Sequence, residues 1–159
     1  MSDPLPDRTD DVFLKELLDS TNAFRARHGA APLTLDPDLV RYSKSRAQVA
    51  STFDALSEGH KGNEGSGYGE NMSWQGTMDD QPASTTNATS SWYAEIIDYN
   101  FADAKGFDNS FATGHFTQLV WKGSTKFGAA RVFGKKSADS PFYETYIVAN
   151  FSSGCLAGK

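Results

Sequence analysis

Residues 1–159 hold one cysteine, Cys155, so no disulfide can close within this sequence and no cysteine-based zinc framework can form. Whatever the chain folds into must be held by packing alone. The material for that is present. Hydrophobic residues make up 38% and aromatics 13%, ample apolar area for one self-supporting core, and the length suits one domain rather than two. Residues 1–10 read as a polar leader, 11–155 as the domain and 156–159 as a tail.

Fifteen basic against twenty acidic residues leave a formal net charge of −5 and a pI near 5.1. The field of such a chain repels phosphate backbones, which excludes nucleic acid as a first expectation for a partner. Lys122, Lys126, Lys135 and Lys136 read as a solvated face rather than a binding patch. No apolar run is long enough to cross a bilayer, and residues 2–10 show no signal-peptide pattern. Ser2 stands where an N-myristoylation signal needs glycine.

Phe13, Leu14, Leu17, Leu18, Thr21 and Phe24 recur at helical spacing and end at His28-Gly29, which predicts a first helix with acids at its start and Arg25, Arg27 and a glycine cap at its end. Asp36-Pro37 is an N-cap followed by a first-turn proline, opening a second helix through Leu39, Val40, Ser43, Ala47 and Ala50 that stops near Thr52. Five glycines between Glu58 and Gly69 predict a surface loop. A third helix is expected to bury Ala88, Trp92, Ile96 and Tyr99, which turns Glu95 toward the apolar side, where an unpaired carboxylate is expensive. Lys126–Phe133 and Tyr143–Phe151 read as an antiparallel hairpin.

With only three histidines, imidazole chemistry rests on few candidates. His28, at a helix end beside Gly29, reads as a cap. His60 opens the glycine-rich loop, and His115 starts Gly114-His115-Phe116-Thr117-Gln118-Leu119-Val120-Trp121. That last segment resembles the first signature of the superfamily of cysteine-rich secretory proteins, antigen five proteins and plant pathogenesis-related class-one proteins, the CAP superfamily. Gly69-Glu70-Asn71-Met72 resembles its Gly-Glu-Asn motif. Asn22 and Arg25 resemble its His-Asn-x-x-Arg, with Thr21 in the histidine's place. Trp92-Tyr93 with Glu95 and Tyr99-Asn100-Phe101 resembles its third-helix signature. Four motifs in family order over positions 13–151 make the match specific.

The resemblance implies an α/β fold, an α-β-α sandwich with a small, mainly antiparallel sheet between helices. It also implies a cleft cluster of His60, Glu70, Glu95 and His115, with the two imidazoles holding a divalent metal such as zinc weakly and reversibly. A hydrogen-bonded network with no ligand is the competing reading of those four groups. Ala149 replaces a family cysteine and the closing proline turn is missing, so the chain is most similar to the disulfide-poor Golgi-associated plant pathogenesis-related branch. That branch is basic and myristoylated, unlike this acidic chain with Ser2. The expected location is extracellular, as for most of the family, or the cytosolic face of the Golgi, as for that branch.

The function this implies is non-enzymatic binding of a lipid or sterol at a loop carrying Trp121 and Phe127. A metal-dependent hydrolase or protease, using His60 and His115 with Glu70 or Glu95 activating water, is one alternative. A self-associating interaction domain is the other, which would make a second copy the partner; lipid or sterol and a membrane surface are the other partners expected. Of three Asn-x-Ser/Thr triplets, at Asn71, Asn87 and Asn150, only Asn87, expected in a loop, suits a glycan.

Overall fold

The computed structural model describes residues 2–102, 105–106 and 113–153; Cys155 and the tail lie outside them. Helix α1 spans Asp11–Ala26, and the Asp10 carboxylate caps it by accepting from Phe13 N at 2.8 Å. It closes as the sequence predicts: Gly29 has φ +70°, Gly29 N donates to Ala26 O and Ala30 N donates to Arg25 O, the paired bonds of a Schellman cap. Helix α2 spans Pro37–Ala50 behind the Asp36 cap. Helix α3 is shorter than predicted: it runs Thr85–Tyr93, a 3-10 turn covers Ala94–Asp98, and Tyr99 lies in strand β3, Tyr99–Asn100. Asn87 therefore sits within α3 rather than in a loop.

The main sheet has the order β1-β5-β6-β2. Strands β5 (Lys126–Gly134) and β6 (Tyr143–Ser152) form the predicted hairpin. The short β1 (Thr34–Leu35) adds the only parallel pairing of this sheet. Strand β2, Gly69–Thr77, pairs antiparallel along β6, although its run of Gly, Glu, Asn, Ser and Gln carries little strand propensity. Its pairing comes from β6, an example of tertiary context overriding local preference. A two-residue strand β4, Lys105–Gly106, pairs with β3, and α4 covers Gly114–Leu119.

The sheet is buried on both faces. Ala130, Val132, Tyr146 and Val148 pack with Ala47 and Ala50 of α2, whereas Phe127, Ala129, Ile147, Ala149 and Phe151 pack with Phe13, Leu14, Leu17, Trp92 and Leu119 from α1, α3 and α4. Consecutive strand residues thus serve opposite layers, which is why every residue from Glu144 to Phe151 of β6 is buried. This is the α-β-α sandwich. Helix α2 lies very close to β5: a side chain at Gly128 would place Cβ 2.4 Å from the Leu39 carbonyl carbon.

Asn22 and Arg25 fasten the α1 end of the fold. Asn22 exchanges bonds with Leu33, donating to its carbonyl at 3.2 Å and accepting from its N–H at 2.8 Å. Arg25 does not lie at a solvated helix end as the dipole argument expects. It is fully buried, and its guanidinium donates to the carbonyls of Ala31, Leu119, Trp121 and Ser124. Thr21, in the place where family members carry histidine, has a buried hydroxyl oxygen with no partner among the described residues. No helix among the described residues is long and apolar enough to cross a membrane.

Candidate functional site

The four cleft residues come from four separate elements. A 3-10 turn, Leu56–His60, ends at His60, Glu70 is the second residue of β2, Glu95 lies in the 3-10 turn after α3, and His115 is in the first turn of α4. They form two imidazole–carboxylate pairs. His60 Nδ1 lies 3.0 Å from Glu70 Oε1, and His115 Nδ1 lies 2.7 Å from Glu95 Oε2. An ionised carboxylate only accepts, so each Nδ1 carries a proton, and in the neutral ring Nε2 then presents a lone pair. Among the described residues no three His, Cys, Asp or Glu side chains are grouped to hold a metal ion. The structure therefore supplies pairs rather than a ready multi-ligand cage.

The pairs are unequal. Glu70 is 2% exposed and accepts from four donors: Arg46 Nε at 2.8 Å, Arg46 Nη2 at 3.0 Å, His60 Nδ1 at 3.0 Å and Asn150 Nδ2 at 3.0 Å. Burial alone raises its pKa, but the hydrogen bonds from His60, Arg46 and Asn150, with the Arg46 charge, outweigh that and hold it below the ordinary carboxylate value. Glu95 is 22% exposed and among the described residues accepts from the His115 ring and, through Oε1, from Phe116 N at 3.0 Å. Its carboxylate faces inward as the helix pattern predicts, and it is paired. Asn71 Nδ2 donates to the His115 carbonyl at 3.0 Å, and the His115 ring stacks over Trp92. The Gly-Glu-Asn motif thus serves both pairs: Glu70 fixes His60 and Asn71 fixes the backbone of His115.

Arg46 and Asn150 were not among the residues singled out from the sequence. A signal existed for the first: Arg46 falls on the α2 stripe shared with Leu39, Ser43, Ala47 and Ala50, where a charge demands a partner. Asn150 is fully buried and accepts from Ser43 Oγ at 2.8 Å. Asn71 and Asn150 are both buried, which leaves Asn87 as the one exposed asparagine of the three triplets.

A second feature adjoins the cleft. A groove of ≈ 640 Å³ is lined by His28, Tyr99, Phe101, Phe116, Val120 and Trp121, with Thr117, Lys122 and Gly123 at its margin. His28 does more than end a helix: its Nε2 lies 2.8 Å from Tyr93 Oη and its ring packs on Phe101 and Phe116. Trp121 is 55% exposed on the wall of this groove. Phe127 corrects the sequence expectation. It is fully buried against Phe151, because the first residues of β5 turn it into the layer of α1 and α4, so it is core rather than ligand wall.

The three-layer fold and the paired cleft define a class of protein, and comparison with known proteins places the chain in it: residues 18–151 match the family model described as "CAP: Cysteine-rich secretory protein family". The chain belongs to that family. It is 32% identical over 139 residues to the human Golgi-associated plant pathogenesis-related protein 1, covering 87% of this chain and 81% of that one. It is 37% identical over 124 residues to the secreted protein PRY1 of Candida albicans, covering 78% of this chain but 26% of the relative. Several of the fungal relatives it matches are thus much longer than this chain. In fold it is similar to the hookworm platelet inhibitor, with a TM-score of 0.64 at 17% identity over 94% of this chain and 74% of that one. It is also similar to NaASP2 with Zn2+, with a TM-score of 0.63 at 14% identity over 96% of this chain and 88% of that one.

Proposed function

We propose that this chain is a non-enzymatic binding module for a lipid or sterol, seated in the aromatic groove beside Trp121. The observation that carries the reading is the groove itself. Its ≈ 640 Å³ lies within the range of small-molecule sites, and its walls are aromatic and aliphatic with a few polar groups, His28 and Thr117 among them, to orient a head group. Among its described lining residues Lys122 is the one Lys, Arg, Asp or Glu, so binding rests on apolar burial rather than on attraction to an anion. Working places at the cell exterior or at the Golgi surface both fit, since relatives named above are secreted or Golgi-associated.

The cleft supports a secondary capacity for a divalent cation. His60 and His115 are the residues that would hold it. Their Nδ1 atoms are held by carboxylates and their Nε2 atoms are left as donors to metal, the arrangement that orients imidazole ligands of zinc. Two strong donors make a weak, reversible site. When bound, the ion would supply Lewis acidity; Glu70, which already accepts four bonds, is the poorer base of the two cleft acids.

Binding of a fluorescent sterol or fatty acid at low and high salt tests the main proposal. Trp121→Ala is expected to weaken binding about tenfold, equivalent to ~1.4 kcal/mol, while Val12→Ala, exposed on α1, leaves it unchanged. Binding that ignores Trp121→Ala, or that vanishes at high salt, overturns the reading.

A further inference from the structure

We propose that Arg46 is the positioning residue of the His60 half of the cleft, and that it makes Glu70 a fixed support while Glu95 is less filled by the donors of the described residues. The inference concerns the cleft and does not depend on the lipid reading. Arg46 lies on α2 and is 5% exposed. Its Nη2 donates to Gly59 O at 2.6 Å and its Nη1 to Lys61 O at 3.0 Å. Those are the carbonyls on either side of His60. Nε and Nη2 of the same guanidinium grip both oxygens of Glu70, the carboxylate that the His60 ring touches. One planar cation therefore fixes the backbone before His60, the backbone after it, and the acceptor that sets its ring orientation and tautomer.

Helix α2 makes this grip rigid through a second contact three residues earlier. Ser43 lies on the same face as Arg46 and holds Asn150, whose amide supplies the fourth bond to Glu70. A carboxylate has about four acceptor positions, and at Glu70 donors fill them all. It can neither coordinate a cation nor take a proton from water without giving up one of these four bonds. Among the described residues Glu95 accepts two bonds, against four at Glu70. The two acids that the motif pattern treats as equivalent are therefore held unequally, Glu70 by four donors and Glu95 by two among the described residues.

Long-range 15N–1H correlation spectra of the imidazoles in zinc-free protein at pH 8 test this. In the wild type, His60 and His115 should each show one tautomer, protonated at Nδ1. In Arg46→Met and Arg46→Lys, His60 should lose that single pattern and amides 59–63 should lose exchange protection. His115, held by Glu95 and untouched by Arg46, should keep its pattern and so reports on global damage. Titration calorimetry with zinc alone should show the His60-dependent heat falling in both variants, while Glu95→Gln lowers the heat more than its volume change accounts for. If His60 keeps one tautomer in either variant, Arg46 is only a charge-neutralising core residue and the proposal falls. If neither variant folds, the wild type decides: restricted rotation of the Arg46 guanidinium about Nε–Cζ supports the assignment, and free rotation overturns it.

Discussion

Glu70→Gln keeps the shape of the side chain and removes its charge, leaving the Arg46 guanidinium buried with two carbonyls but no anion. Breaking a buried, hydrogen-bonded ion pair in this way costs about 3–5 kcal/mol. For a chain of this length each kcal/mol moves Tm by about 2–4 °C, so the expected loss is roughly 6–20 °C at pH 7. The deficit should depend on pH. Burial pushes the Glu70 carboxyl up, but its bonds from His60, Arg46 and Asn150 hold the net value below the ordinary one. The unfolded chain, with a carboxyl value near ~4.3, therefore takes up a proton at a higher pH than the folded chain. The contribution of Glu70 is complete above about pH 5 and is lost as pH falls through the folded value. Thermal melts followed by circular dichroism from pH 7 to pH 3 should show the wild-type curve descending toward that of the variant. A loss at pH 7 no larger than about 2 °C, which a surface substitution gives, would refute the reasoning, as would a gap that does not narrow in acid. Replacing both partners with methionine should cost less than Glu70→Gln alone, since no charge is then stranded.

Other substitutions report on single features. Glu95→Ala strands the Phe116 amide and the His115 ring and should cost about 1–3 kcal/mol in chemical denaturation, whereas Glu58→Ala, whose partner Lys61 is exposed, should change stability by under about 0.5 kcal/mol; matching midpoints would contradict the burial of Glu95. Thr21→Val removes a buried hydroxyl without a described partner and should raise Tm by about 2–4 °C, while a lower Tm would reveal a bond to that hydroxyl. Gly128→Ala forces Cβ against the α2 backbone and should cost about 1–3 kcal/mol, read as an earlier urea midpoint.

The helices that announce themselves by periodicity and capping, α1 and α2, and the β5–β6 hairpin were legible because their local chemistry agrees with their tertiary role. Strand β2 was not, since Gly69, Glu70, Asn71 and Gln75 favour no strand and it forms only because β6 offers a full register. Third-helix periodicity overran its end, because a 3-10 turn replaces the helix at Ala94–Asp98 and leaves Ile96 half-buried, while Tyr99 lines the aromatic groove. The cleft histidines and acids were legible through family motifs, but their inequality was not: it depends on Arg46 and Asn150, which reach Glu70 across 24 and 80 positions of sequence. Trp121 and Phe127 carry the same apolar signal in sequence, and only the turn between them decides that one faces solvent and the other the core.

The lone cysteine returns here with a different meaning. Arg25 joins α1 to segments 94, 96 and 99 positions away through its bonds to Leu119, Trp121 and Ser124, spans that a disulfide would close in a cysteine-rich protein. A disulfide of that reach acts on the unfolded chain and is hostage to the redox poise of its surroundings. The guanidinium clamp does neither: it assembles only with the native backbone and is indifferent to glutathione. The described fold therefore holds the same geometry in a reducing compartment as in an oxidising one, and its stability should be unchanged by a reductant.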